Sequence, residues 1–425
     1  MKILPVRRIN RFHFLRATLK LISGTVGAQL IPLLALPMLS RLYPPSMFAL
    51  LALLTTCGAL CGPLATGYYE WAITAPRRHQ RARAVAMVAI ACTLLFCLLI
   101  TAIIACAYQS IRSLLHLEEM GHWIYAVAIY TCVGSFMHVA NFWLLRAGRT
   151  GLLATIKMTH ASVNMALAIA MGIIGLRVGL LYAFLIAGTM GGAWGLYLAY
   201  RHGLNWRGMS WRALRVTACH YREFPIFGSL PATCNNLAQQ LPVLIVTSSF
   251  PLTLAGQFSV SRNLLMGSLL LVAISVSQLL TKHLHERMHA GQRLLPFLLL
   301  VATGLAAVGT IGAVLIHAIG AWFFSLYFGN DWGESGQVIR QMAPAMPFIL
   351  VGAGLGSALV AIRCIHLMAA WQILFAACMA SLFLSRGLAF EALIGRIICI
   401  EIAAYSGYIL LIFGAAWLHD RSIFR

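Results

Sequence analysis

Long apolar runs alternate along the chain with short breaks rich in arginine, glycine and proline. A helix needs about 20 apolar residues to cross the hydrocarbon core of a bilayer, and runs of roughly that length recur twelve times. They cover 21–39, 47–65, 84–107, 123–145, 152–176 and 178–200, then 226–247, 258–280, 295–317, 345–362, 367–384 and 394–418. The pattern predicts an all-α polytopic membrane protein. The longest breaks, 202–225 and 325–343, are too short to hold a hydrophobic core of their own. The basic N-terminus followed by an apolar stretch resembles a secretion signal, but the stretch is too long and lacks a small-residue cleavage site, so it counts as the first span.

Composition sharpens the exclusion. Of 425 residues 61% are hydrophobic and 10% charged, against about 25% charged in an average soluble protein. A water-soluble enzyme, a disordered regulator and a coiled coil are all excluded. The formal charge of +21 would suggest phosphate contacts with nucleic acid in a soluble domain. Here the basic residues flank apolar runs without interleaved aromatics to stack bases, so they read as topology signals and no nucleic-acid partner is expected. Of the 31 Lys and Arg, 23 fall on the side that holds both termini and six on the other. The positive-inside rule then puts both termini in the cytoplasm. The 11 cysteines contain no C-x-x-C pair and lie mostly inside apolar runs; they read as buried free thiols.

An internal echo divides the chain. Ala28-Gln29-Leu30-Ile31-Pro32-Leu33-Leu34 returns as Ala238-Gln239-Gln240-Leu241-Pro242-Val243-Leu244, and the same offset of 210 residues superposes Phe48 on Phe258. Two halves of six spans follow, 1–200 and 226–425, joined by a cytoplasmic linker at 201–225. An even number of spans gives both halves one orientation, as in transporters with parallel repeats, where the substrate path lies between the halves.

Polar groups inside the spans mark candidate chemistry, because a charge at mid-depth costs about 3 kcal/mol. Lys157, His160 and Asn164 share one helix face. Asn235 with Gln239 and Asn236 with Gln240 make two amide pairs, and Arg262 stands beside Ser261. These residues are the candidate substrate contacts, with interhelical bonding as the rival reading. Gln29, Glu70 and Glu401 are candidates for coupling or structural roles, Glu401 sharing its face with Tyr405 and Tyr408. Three G-x-x-x-G pairs, at Gly58, Gly188 and Gly352, predict close helix contacts. Arg262 and Glu401 lie at similar depth with opposite sign. Either they pair, or Arg262 faces a cavity alone and Glu401 titrates separately. The N-terminal half places a lysine where a cation exporter would need a carboxylate, so its cavity reads as built for an anion.

His285-Glu286-Arg287-Met288-His289 is a literal H-E-x-x-H, the zinc metalloprotease pattern. It falls in a basic break, and the other cytoplasmic acids sit in unrelated segments, so neither a metal site nor any cofactor is expected. A membrane glycosyltransferase or acyltransferase would need a sizeable extramembrane loop, and none is visible.

The residues of the repeat also carry a resemblance. Ser23-Gly24-Thr25, Gln29-Leu30-Ile31-Pro32, Leu39-Ser40-Arg41-Leu42-Tyr43-Pro44-Pro45 and Phe48 resemble the opening of bacterial polysaccharide biosynthesis proteins, the Wzx-type O-antigen flippases of the MATE-like superfamily. The likeness continues through Ala65-Thr66-Gly67-Tyr68-Tyr69-Glu70-Trp71-Ala72-Ile73, Tyr221-Arg222-Glu223-Phe224-Pro225, Gly256-Gln257-Phe258 and Phe328-Gly329-Asn330-Asp331-Trp332. It implies a MATE-like fold and a non-enzymatic flippase in the bacterial inner membrane. The implied cargo is an undecaprenyl-diphosphate-linked oligosaccharide for lipopolysaccharide or exopolysaccharide, with the polymerase machinery as a candidate partner. A multidrug or ion antiporter of the same fold is the alternative, with a membrane zinc metalloprotease through His285, Glu286 and His289 as a remote second.

Overall fold

The computed structural model describes residues 11–109, 118–206, 209–385 and 387–423, with side chains from Gly27 onward apart from those of 118–120, Lys282, His289, Asn330, Ser385 and 422–423. These residues hold twelve long helical runs and no strand. The first six are α1 (Arg11–Leu42), α2 (Pro45–Thr66), α3 (His79–Cys106), α4 (Ala126–Arg146), α5 (Thr150–Ile173) and α6 (Gly179–Arg201). The second six are α7 (Leu230–Ser249), α8 (Leu252–His289), α9 (Leu295–Phe328), α10 (Gly333–Ala361), α11 (Ile365–Ala380) and α12 (Phe390–Ile423).

Every predicted span falls on one of these runs. Ten of the helices are long and apolar enough to cross a membrane. The described apolar part of α1, Gly27–Leu42, is shorter, and the amides of α7 dilute its hydropathy. Three boundaries are corrected. Helix α8 runs on to His289 rather than ending near 280, and α9 continues to Phe328 rather than stopping at 317. Most of the break expected at 325–343 is helical, since Gly333–Met342 opens α10. The interruption shrinks to Gly329, at φ 96°, and a single turn of 3-10 helix at Asn330–Trp332.

The chain clusters into two compact units. The first comprises α1, the end of α2 from Cys61, and α3 to α6, and it closes at Ser229. Without a hydrophobic force between helices in lipid, close backbone approach holds such bundles, and small residues supply it here. A β-carbon at Gly192 of α6 would lie 3.3 Å from the Val133 carbonyl of α4, and Gly27 of α1 rests on Met158 of α5. Trp143, buried in α4, donates from Nε1 to the His202 carbonyl at 3.2 Å.

The second unit joins Tyr43–Leu60 to the chain from Leu230 onward. Gly256 marks its tightest crossing: a β-carbon there would stand 1.8 Å from the Pro45 carbonyl oxygen. Beside it Phe48 meets Trp332 edge-on, with ring centroids 5.1 Å apart. The Gln257 side chain ties α8 to the start of α10, donating to the Asp331 carbonyl at 3.1 Å and accepting from the Ser335 N–H at 2.9 Å. The expected contact at Gly352 and Gly356 is present, because Tyr405 and Tyr408 of α12 pack over them. Asp420 at the far end of α12 accepts from the Leu294 and Leu295 N–H groups at 2.8 and 3.0 Å. A carboxylate at the start of α9 satisfies donors that a helix N-terminus leaves open.

Candidate functional site

The second unit brings Arg262 of α8 and Glu401 of α12 together. Arg262 Nη2 donates to Glu401 Oε1 at 2.7 Å, and both residues are buried, at 4% and 1% exposure. The same nitrogen lies 3.4 Å from the Gln239 carbonyl of α7. Of the two sequence readings, the pair is the one realised. The pairing is incomplete, since Arg262 Nη1 and Glu401 Oε2 are buried and lack a hydrogen-bond partner in the structure. One and two helical turns beyond Glu401, Tyr405 and Tyr408 pack with Trp371, which stacks on Tyr408 at 4.1 Å and donates to the Ala404 carbonyl at 2.9 Å.

The α7 amides turn to α2. Asn236 Nδ2 donates to the Ala59 carbonyl at 2.9 Å, and Gln240 Oε1 accepts from the Thr56 hydroxyl at 3.0 Å. One helical turn separates them, so the i, i+4 pair grips successive turns of its neighbour. Asn235 and Gln239 are half-buried. Pro242 sits inside α7 as Pro32 sits inside α1. Each proline removes an N–H from the ladder and leaves the carbonyl four residues earlier without its helical donor.

In the first unit Lys157, His160 and Asn164 are half-buried along α5. His160 lies against Gly191 of α6, in an apolar groove of about 460 Å³ that Trp194 and Tyr197 also line. His138 of α4 lies in the neighbourhood of Lys157. None of the six predicted spans of this half contains Asp or Glu. Gln29 is exposed on α1.

Glu70 lies just beyond α2, in the short helix Tyr69–Ala72. Gly67 and Tyr68 precede it at φ 58° and 60°, the left-handed region that few side chains tolerate. Tyr68 is held there by packing: a β-carbon at Gly228 would fall 2.4 Å from its ring. Tyr69 donates to the Ala218 carbonyl at 3.0 Å. The Ala65–Ile73 and Tyr221–Pro225 motifs meet as well, since a β-carbon at Gly67 would lie 3.9 Å from Pro225, and Phe224–Ser229 forms a turn of π-helix, a rare form frequent at functional sites. Burial pushes the Glu70 carboxyl above the usual carboxylate range, against a hydrogen bond with Thr66 that lowers it.

The H-E-x-x-H sequence ends α8. His285 and Glu286 are exposed, His285 Nδ1 donates to the Thr281 carbonyl at 2.7 Å, and the His289 side chain lies outside the described set. Among the described residues no three His, Cys, Asp or Glu side chains converge as metal ligands. Sequence reasoning missed the Gln257 clamp, whose partners are backbone groups at Asp331 and Ser335 that leave no side-chain signature.

No protein-family model matches the chain, and no curated protein matches it in sequence. Solved structures do match. An inward-facing multidrug resistance MATE family transporter of the MOP superfamily superposes with a TM-score of 0.71 at 14% identity, over 93% of this chain and 95% of that one. The fold is that of the MATE transporters. An outward-facing MATE structure matches with a TM-score of 0.59 at 13% identity, over 97% of this chain and 96% of that one. A MOP superfamily transporter from Pyrococcus furiosus, described as having a binding pocket of reverse polarity, also matches at 0.59, with 14% identity over 97% and 96%. The twelve helices in two halves expected from the repeat are the architecture of this fold.

Proposed function

We propose that this protein is a transporter working by alternating access that flips an undecaprenyl-diphosphate-linked oligosaccharide across the bacterial inner membrane, with both termini in the cytoplasm. The balance of charge inside the spans carries the reading. The N-terminal half has Lys157 and no carboxylate in its six spans, while the C-terminal half neutralises Glu401 with Arg262 at 2.7 Å. The spans thus carry net positive charge, which suits a diphosphate and fails to suit a cationic drug. The neighbour with a pocket of reverse polarity supports the idea that this fold accommodates such an inversion, and the inward- and outward-facing neighbours support alternating access. In this reading the Lys157, His160 and Asn164 face meets the diphosphate and sugar hydroxyls, and the polymerase machinery takes the product. No bond is made or broken. The multidrug alternative draws on the neighbours' own descriptions and predicts transport of organic cations.

Reconstitution tests the choice. Vesicles holding the protein should speed the passage of a fluorescent polyprenyl-diphosphate oligosaccharide to the opposite leaflet, read by quenching from outside, and Lys157→Ala should remove most of that rate. Export of a cationic dye with no effect on the lipid-linked sugar would favour the antiporter.

A further inference from the structure

Two cavities of the second unit join along the outer face of α11 and α12. The larger, about 720 Å³, opens where His366 and His419 sit; the other, about 440 Å³, runs between Trp371 and Ile400. They share Gly407 and Leu411, so together they form one furrow. On α12 its lining recurs every three or four residues from Ile400 to His419, one face of a straight helix. At 1.5 Å per residue that stretch is roughly 28 Å long, close to the full thickness of the hydrocarbon core of about 30 Å. The floor is small, with Ala403, Ala404, Gly407 and Gly414, and the walls carry exposed leucines, Leu374 at 62%, Leu410 at 70% and Leu418 at 62%. One end is basic. His366 and Arg363 are exposed there, and Arg421 lies over the Trp417 ring at 3.7 Å. The one carboxylate close by in the sequence, Asp420, is occupied by two backbone N–H groups.

We propose that this furrow is a binding track for the tail of a polyprenyl-phosphate lipid, whose phosphate is held at the His366 end. The proposal rests on the flippase reading for the identity of the lipid. Length selects the occupant. A phospholipid acyl chain spans its own leaflet, about half of the hydrocarbon core, whereas the furrow runs nearly all of it, so a single chain fills it end to end only if that chain is longer than a leaflet. Charge selects the orientation, because the basic end lies with the C-terminus of α12, on the side where the excess of Lys and Arg places the cytoplasm. The track thus receives the lipid from the cytoplasmic leaflet and keeps its tail in apolar contact while the sugar portion is carried elsewhere.

The glycines supply the test, since a β-carbon at Gly407 or Gly414 meets nothing within 4 Å. The double variant Gly407→Leu, Gly414→Leu should therefore fill the furrow without disturbing the fold, checked by an unchanged thermal unfolding profile. Purified full-length protein in nanodiscs is titrated with undecaprenyl phosphate, farnesyl phosphate and phosphatidylglycerol, and retention is read by native mass spectrometry. Wild type should hold the undecaprenyl lipid at least roughly tenfold more tightly than the other two; the double variant should lose that preference, and His366→Ala with Arg363→Ala should weaken both phosphates alike. Equal retention of the short or the two-chain lipid, or an undiminished preference in the double variant, overturns the proposal. Deletion in cells judges the flippase reading separately. If surface polysaccharide is lost on deletion and fully restored by the double variant, the flippase stands and the track falls. If deletion leaves the polysaccharide intact, the flippase reading falls, and the tail-length preference still decides the track.

Discussion

Arg262 and Lys157 both sit inside membrane-spanning helices, and the chain surrounds them differently. Arg262 is almost fully buried with a carboxylate at 2.7 Å and a backbone carbonyl of α7 nearby. Lys157 is half-buried beside His138 and His160, in six spans that contain no acid. An ion pair taken out of water gains little net stability, but removing one partner leaves the other stranded. The Arg262 arrangement therefore braces α8 against α12. The spans around Lys157 keep their positive charge, and in the proposed function that charge meets the cargo.

The largest effect expected from this contrast is on stability in the second unit. Arg262→Ala or Glu401→Ala alone should destabilise by about 3–5 kcal/mol, seen as loss of monodisperse protein on heating. The apolar double variant Arg262→Met, Glu401→Leu should recover most of the loss. A single variant as stable as wild type would remove the brace. Next come the amides, where Asn236→Ala or Gln240→Ala should each cost about 1 kcal/mol, the value of a hydrogen bond between helices.

A smaller effect concerns Glu70. Its raised carboxyl pKa means that the folded protein holds the proton more tightly than the unfolded chain. Stability should fall as pH rises from the usual carboxylate range through the raised value, and Glu70→Gln should flatten that slope in thermal unfolding measured against pH. An unchanged slope would assign the pH dependence elsewhere. Smallest of all, Lys157→Ala should leave unfolding within about 0.5 kcal/mol of wild type while abolishing surface polysaccharide, with Lys157→Arg retaining part. Polymer made normally by the alanine variant would erase the distinction between the two cations.

The contrast also separates what the sequence reveals from what it conceals. The twelve long helices were legible because an apolar run of membrane length has few other uses. The Arg262–Glu401 pair was legible only as one of two readings: counting residues inward gives depth and opposite charges at equal depth in lipid attract, but depth alone does not say whether α8 and α12 are neighbours. The ends of α8, α9 and α10 were not, since a lone His317 or the polar residues of 333–342 break the run without breaking the helix. The grips of Asn236 on Ala59 and of Gln257 on Asp331 were hidden for another reason: their partners are backbone groups, which every residue possesses.

The grip of Gln240 on Thr56 also sets a timetable. The two residues are separated by 184 positions, and a ribosome adding 5–20 residues per second needs roughly 10–40 s to cover that distance. Through that interval α2 waits in the bilayer with the Ala59 carbonyl and the Thr56 hydroxyl of its middle turns lacking their α7 partners, and with the surface that Gly256 will cover still open to lipid. Biogenesis of this protein thus contains a built-in delay, during which an insertase or membrane chaperone that shelters α2 would have its greatest influence, and a slow codon placed before α7 would lengthen the exposure.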